Sequence, residues 1–493
     1  MIKSIKHFEE KSINIFEKLE ENFYKNPSGF AEYVEGLTEE LHKLGVMIIQ
    51  ETLEHMNQDI CDSHKRKIKW NIEKHVQKSL VTSLGNVQFK KTLFCRKDGT
   101  ESVYLLDKVL GMEPHERLSE DAEAKLLEEC VETSYRRGGE NVSLSANVSK
   151  QTVKNKIHAL EIPSDIPKTE KKKVVEYLYL DADEDHVSLQ FREKKGDLIE
   201  NEKHRKNNCL ITKVAYVYEG IEKETLQGKR NRLINPHYFC CASGGKTNEE
   251  FWDEIYAYID AVYDLSKVKK IYLNADGGAW IKAATKRIAG VKYVLDEFHI
   301  SKYLIKLTSH MKDSTEDARK ELVDCICHGT KKEFTEIVER LKNCLETESG
   351  EKRLEESRDY ILSNWMPART RLLHKDGVKG SSTEAHVSHV LSARMSSRPM
   401  GWSRTGADKM ARLRAYKWNG GDMLELVRYQ RQELPKAAGG EYDVLSASEI
   451  NVSCQNRRGE IGKYMECITH GVSDKIKQRE WYRGLMGNRI EGI

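Results

Sequence analysis

Beyond residue 174 the order of chain elements limits what this sequence can fold into. Strand-like runs lie near 174–183, 186–192 and 210–219. A helix is predicted near 248–264, a strand over 269–275, a helix opening near Gly278 and a strand over 291–295. β-branched and aromatic residues fill the strand runs, and the segments between the later ones carry apolar residues at helical spacing. From about 300 to 366 there is no proline, and charged and apolar residues recur at helical spacing. That stretch reads as an all-helical insertion.

Three strands in a meander followed by alternating helix and strand predict an α/β fold with a ribonuclease H-like core. Acids stand at telling places in it. Asp183 ends the run from Val174, Asp276 ends the run from Lys270 and precedes Gly277-Gly278, and Glu384 sits in a helix-like stretch from Ser381 to Val387. Two carboxylates at neighbouring strand ends and one on a later helix can converge into the all-oxygen site that a hard cation such as Mg²⁺ needs. Two such ions roughly 3.5–4 Å apart clamp an in-line phosphoryl transfer. Metal-dependent chemistry on nucleic-acid phosphodiesters is the expectation. Asp181 and Asp183 share one face of their strand, and periodicity does not choose between them.

Composition permits this reading without requiring it. The 493 residues are enough for two to four domains, and 81 Lys and Arg stand against 78 Asp and Glu. Met366–Lys436, however, holds 14 Lys and Arg and 6 Asp and Glu, which suits either a polyanionic substrate or a solvated face. The 11 cysteines include no C-x-x-C pair. His237 to Cys241 and Cys325 to His328 read as buried thiols rather than zinc ligands. No signal-like N-terminal segment and no apolar run of bilayer length is present, and the odd cysteine count points to a reducing cytoplasm with no membrane partner.

The expected organisation is helical over 1–80, then a β-hairpin and helix-turn-helix DNA-binding region over 81–162, with a linker over 163–173. The core follows over 174–299, the helical insertion over 300–375, and core completion with a basic C-terminal region over 376–493. The hairpin pairs 87–94 with 102–106 around Asp98-Gly99. The helix-turn-helix uses Ala122–Tyr135, Glu140–Ser145 and a helix capped by Ser149, whose Lys150, Gln151, Lys154 and Asn155 face away from Val153, Ile157 and Leu160 and are placed to contact DNA.

Four segments in order carry a resemblance: Leu178 to Val187, Asn274 to Gly278, Leu295 to His299, and Ser382 to Val387 running through Arg394, Arg398 and Trp402. With them the chain resembles bacterial insertion-sequence transposases of the ISLre family, distant relatives of the Mutator-like DDE transposases. The resemblance implies a triad of Asp183, Asp276 and Glu384 holding Mg²⁺ as two ions, with Mn²⁺ suiting the same ligands, and Asp181 in support. Asp296 and His299 match a D-x-x-H element after the fifth strand, there to orient a ligand or contact the scissile phosphate, or else simply a capped, buried histidine. Arg394 and Arg398 are expected on one face of the helix of Glu384, contacting phosphates. Trp402 belongs to the core or stacks on an unpaired base. The implied activity is cleavage of the ends of an insertion sequence and joining of the 3′-hydroxyls to target DNA. Its partners are double-stranded DNA, as terminal repeats and target, and at least one further copy of the chain. A nuclease that cuts without joining, or a DNA-binding protein with an inactive core, are the alternatives.

Overall fold

The computed structural model describes residues 2–471 apart from 114, 165, 168–170, 191–198, 201–205, 229, 277, 346, 375–382, 433–443 and 446. The chain divides into two compact units: Met1–Cys130 with Ser134–Lys150 and Leu424–Ile493, and Val131–Thr133 with Gln151–Met423. Among the described residues no helix is long and apolar enough to cross a membrane.

The first unit opens with helices, of which α1 (Ile13–Lys25) and α2 (Phe30–Asp62) pack together. Strand β1 (Trp70–Val81) then pairs antiparallel with β2 (Asn86–Arg96), and β2 pairs with the short β3 (Ser102–Val103). The expected hairpin is therefore corrected. The main partner of β2 is 70–81, a run whose Glu73, Lys74, His75, Gln77 and Lys78 mask its strand character. Asp98-Gly99 does turn the chain, with Gly99 at φ +74°, but Leu105 already begins a helix, Leu105–Val109. The hairpin packs Leu80, Val87, Phe89 and Phe94 into a core with Leu53 and Ile60 of α2. Lys78 and Lys91 are buried beside it, and both bond the carboxylate of Asp107.

The helix-turn-helix expectation also shifts. Helices run over Glu120–Glu132 and Tyr135–Glu140, so the short second helix starts earlier than 140. Ser134 caps it, accepting from Arg137 N at 3.2 Å. A Cβ on Gly138 would lie 2.2 Å from Cys130 Sγ, so a residue that reads as a break instead permits close packing. Helix α3 spans Lys150–Ala159, with Val153 and Ile157 fully buried.

The second unit is built on a mixed five-stranded sheet made of β4 (Tyr177–Ser188), β5 (Cys209–Tyr218), β6 (His237–Ala242), β7 (Lys270–Ala275) and β8 (Val291–Leu295). The order is β6-β5-β4-β7-β8, with β4–β5 and β5–β6 antiparallel and β4–β7 and β7–β8 parallel. The first two expected strands are one continuous strand, because no glycine, proline or asparagine interrupts 183–188. The third strand of the meander is 237–242, which brings Cys240 and Cys241 into the sheet as buried free thiols. Burial pushes the Cys241 thiol up to about 12.

Strand alternation gives the sheet two unlike faces. Leu178, Leu180, Ala182, Ala215, Val217, Ile271 and Leu273 form the apolar one, covered by Phe251, Trp252, Ile255 and Ile259 of α4 (Asn248–Val262). Thr247 and Glu250 close a capping box at the start of that helix. The opposite face is polar and aromatic. It carries Tyr179, Asp181, Tyr216, Tyr218, Tyr272 and Asn274, with Tyr179 stacked between Tyr218 at 5.4 Å and Tyr272 at 6.0 Å.

After β8 the chain is helical as far as Leu373, beginning with α5 (Glu297–Thr308) and ending with α6 (Glu348–Ser363) and α7 (Trp365–Leu373). Its own core gathers Ile300, Leu304, Leu322, Phe334, Val338 and Trp365. Helix α8 (Thr383–Val387) runs through a π-helical turn, Ser388–Ser392, into Ala393–Met395, and α9 (Arg404–Trp418) packs on β6 and β5.

Candidate active site

The polar sheet face ends in a cleft. Ala182 of β4 lies opposite Ala275 of β7 in the parallel pairing, so the next residues stand side by side: Asp183 within β4, still paired to β5, and Asp276 just past the end of β7. They line a cleft of about 240 Å³ together with Asp296, His299 and Glu384. Three elements far apart in sequence thus bring the expected acids to one opening.

The two strand acids are held by local backbone. Asp183 Oδ1 accepts from Glu184 N at 2.8 Å, and Asp276 Oδ1 accepts from Gly278 N at 3.0 Å. Burial pushes the Asp183 carboxyl up to about 7; the Glu184 amide opposes this, and the charges of Asp276, Glu184 and Asp296 add to it. Tyr360 of α6 donates its hydroxyl to the carbonyl of Asp276 and stacks on Tyr303 of α5 at 3.8 Å. The helical segment therefore braces the turn that carries the second acid.

Asp181 has a different position. It is fully buried, accepting from Tyr216 at 2.8 Å, Tyr218 at 3.3 Å and Asn274 Nδ2 at 2.7 Å. Arg371 of α7 donates to Asn274 Oδ1 at 2.6 Å and to Leu295 O at 3.1 Å. This network ties four strands to α7 beneath the cleft, and Asp183, not Asp181, lines the opening.

Asp296 caps α5, accepting from Phe298 N at 2.7 Å. It does so two residues ahead, so the histidine is not capped by its neighbour. Among the described residues His299 lines the cleft, and its Nδ1 is buried without a partner. Glu384 is exposed in the first turn of α8; Ser381 and Ser382 lie outside the described residues. His386, half a turn on, holds α8 to the sheet. Its Nδ1 is 2.9 Å from Tyr238 Oη, and its ring lies 4.7 Å from that of Tyr216. Burial pushes that imidazole down to about 4, so it binds as a neutral ring.

The basic residues divide differently from expectation. Arg394 is 4% exposed, with its guanidinium 4.9 Å over the ring of Trp402. Trp402 is itself buried and donates to Met395 O at 2.9 Å. Both belong to the interior, so the phosphate contact expected of Arg394 is corrected. Arg398 is exposed but lies past the helix, which ends at Met395. Arg371 and Arg414 are buried too, the latter bonding the carbonyls of Val131, His389 and Val390. On α3, Lys150, Gln151, Lys154 and Asn155 are all exposed, with Gln151 Nε2 bonded to Asn155 Oδ1 at 2.8 Å.

The donor set suits a hard cation: carboxylates close enough that the charges of Asp276 and Asp296 add to the raised pKa of Asp183. Among the described residues no three His, Cys, Asp or Glu side chains form a ready-made metal cage. The acids surround the cleft without closing on one point.

Fold and site together define a mixed α/β protein with an acidic cleft at the carboxyl ends of parallel strands. The chain belongs to the uncharacterised protein family UPF0236, which matches residues 24–433. A UPF0236 protein of Caldanaerobacter subterraneus subsp. tengcongensis is 33% identical over 423 residues, 85% of this chain and 84% of that one. The UPF0236 protein in the vanSb 3′ region of Streptococcus gallolyticus is 25% identical over 71% of this chain and 75% of its own length. Among solved structures the chain is similar to the Drosophila P element transposase strand transfer complex, at 11% identity over 68% of this chain and 90% of that chain, with a TM-score of 0.21.

Proposed function

We propose that the cleft is the active centre of a DDE-type DNA transposase of the ISLre kind, on a ribonuclease H-like core. One observation carries this reading. A strand acid, an acid at the end of the neighbouring parallel strand and a helix acid, Asp183, Asp276 and Glu384, line one cleft. The sheet order, with the first strand central between an antiparallel meander and two parallel strands, is the arrangement such a core requires.

Asp183, Asp276 and Glu384 would hold Mg²⁺ or Mn²⁺, which when bound supplies the charge that activates water and offsets charge developing on a phosphodiester. The chain's own work is positioning. Tyr360 holds the backbone of Asp276, His386 holds the helix of Glu384, and the Asp181 network fixes β4 and β7 relative to α7. His299 lines the cleft wall beside these acids and is the candidate residue for a contact to the scissile phosphate. The exposed Lys150, Gln151, Lys154 and Asn155 of α3, with Arg398, are the candidate contacts to double-stranded DNA. Relatives add support of another kind. The name of the first Caldanaerobacter relative joins eleven locus designations, and a second joins four. Repetition at many loci is what a self-moving element leaves behind.

The test is a strand-transfer assay with Mg²⁺ on DNA carrying the element's own ends, comparing wild type with Asp276→Ala and Glu384→Ala. Joined products from wild type alone are expected. Cleavage without joining would make the protein a nuclease, and intact DNA or active variants would overturn the triad.

A further inference from the structure

The ladder between β4 and β7 stops at the pair Ala182 and Ala275, so backbone pairing does not set the distance between Asp183 and Asp276. Asp183 is fixed, being still paired to Val214 of β5. Asp276 stands past its strand, and its place depends on what anchors the segment that follows. Trp280, four residues on in the helical turn Ala279–Lys282, supplies an anchor. Its ring is buried and stacked on Trp252 of α4 at 5.7 Å, and its carbonyl accepts from Trp252 Nε1 at 2.9 Å. A buried indole also needs an acceptor for its own N–H. That acceptor is Glu184, the residue next to Asp183, whose Oε2 lies 2.8 Å from Trp280 Nε1. Alternation puts Glu184 on the apolar face, after Leu178, Leu180 and Ala182, where a carboxylate needs a donor. His186 Nε2 stands 3.5 Å from its other oxygen. Lys213, opposite Glu184 on β5, lies 5.5 Å over the ring of Trp280 and bonds Asn248 Oδ1 at 2.6 Å.

We propose that Glu184 and Trp280 are positioning residues: their hydrogen bond sets the spacing of Asp183 and Asp276, and with it the affinity of the cleft for a divalent cation. This rests on the reading of the cleft as a metal site. The bond joins the two acid-bearing segments directly, one residue from Asp183 and four from Asp276. Gly278, between Asp276 and Trp280, carries the constraint to the carboxylate. Its N–H bonds Asp276 Oδ1 at 3.0 Å, and a Cβ there would lie 3.4 Å from both that oxygen and Trp280 Nε1. Carboxylates that share a cation must be held to within about 0.5 Å, and hydrogen-bonded partners behind the ligands hold them. Glu184 and Trp280 are not among the residues that line the cleft, so they act on a cation through the acids. Tyr360 holds the same segment by its backbone, and this bond holds it by a side chain.

The experiment titrates the full chain with Mn²⁺ alone in a calorimeter and follows thermal unfolding of the same proteins. Wild type is compared with Glu184→Ala, Glu184→Gln, Trp280→Phe, the Glu184→Ala, Trp280→Phe double variant and Asp276→Ala. Loss of the acceptor or of the donor is expected to weaken Mn²⁺ binding roughly ten- to hundredfold. The double variant should be no weaker than either single one, because the same bond is lost once. Glu184→Gln, whose amide oxygen can still accept from the indole, should bind Mn²⁺ close to wild type. That variant separates the bond from the charge. If it binds as weakly as Glu184→Ala, the carboxylate acts by charge alone and the proposal is overturned. Single variants that lose stability but bind Mn²⁺ as wild type does, or losses that multiply in the double variant, overturn it as well. Trp280→Phe keeps an aromatic ring against Trp252, so the test stands even where Glu184→Ala does not fold. Asp276→Ala reports on the cleft itself. If it binds Mn²⁺ as well as wild type, or wild type binds none, the metal-site reading fails and this proposal with it. Mn²⁺ binding that is lost in Asp276→Ala but unchanged in the Glu184 and Trp280 variants sinks this proposal alone.

Discussion

Asp181 and Asp183 are two residues apart on one strand, face the same way and do opposite work. Asp181 is enclosed by two tyrosine hydroxyls and an asparagine amide, so its carboxylate satisfies a network. Asp183 stands at the cleft, where burial and neighbouring acids raise its pKa. Replacement should separate them. Asp181→Ala leaves Tyr216, Tyr218 and Asn274 short of an acceptor and should cost about 3 kcal/mol in a urea titration. Asp183→Asn removes a carboxyl from a crowded acidic site and should leave the urea midpoint unchanged or higher while DNA cleavage is lost. If both variants lose activity with equal loss of stability, the division of roles is wrong. Strand periodicity placed both acids on one face. What separates them is their cross-strand neighbours, Tyr216 and Asn274 for the one and the open sheet end for the other.

At the scale of elements, the helical stretch after β8 reaches the second acid through Tyr360. The hydroxyl of Tyr360 bonds the carbonyl of Asp276, so α6 steadies the backbone of the second acid. Tyr360→Phe should cost about 1 kcal/mol and slow cleavage roughly tenfold, as loss of an outer-shell contact does, with little change in DNA affinity. A variant with normal turnover would show that the turn holds itself. The helical character of this stretch was legible from its spacing and lack of proline. Tyr360 was not, because nothing local tells an exposed helical tyrosine from one aimed at a strand end. The basic segment misleads in the same way. Arg371, Arg394 and Arg414 count towards a polyanion-binding charge in the sequence, yet each lies buried, where it bonds carbonyls and an amide or covers an aromatic ring.

At the scale of the molecule, two compact units with separate cores should unfold in more than one calorimetric step. A buried charge in the first unit provides the test. Lys78 and Lys91 share Asp107, and burial pulls the Lys91 ammonium below its usual range while Asp107 opposes this. Asp107→Ala should destabilise that unit by about 3–5 kcal/mol and move one transition while leaving the other in place. The pH dependence has a definite sign. With the folded pKa of Lys91 depressed further, the unfolded chain binds more protons, so the variant's stability should rise with pH through the alkaline range up to the ordinary lysine pKa. A single transition that moves as a whole would overturn the division. From its sequence alone the chain determines that strands and helices alternate after residue 174, that a helical stretch follows, and that Asp183, Asp276 and Glu384 are the acids to watch. These are properties of local spacing, which each segment carries by itself. Only the tertiary structure decides that 237–242 completes the meander, that β2 pairs with 70–81, and which arginines are buried. It also decides that Asp181 is structural while Asp183 opens to the cleft, because each of these depends on neighbours brought in from distant parts of the chain.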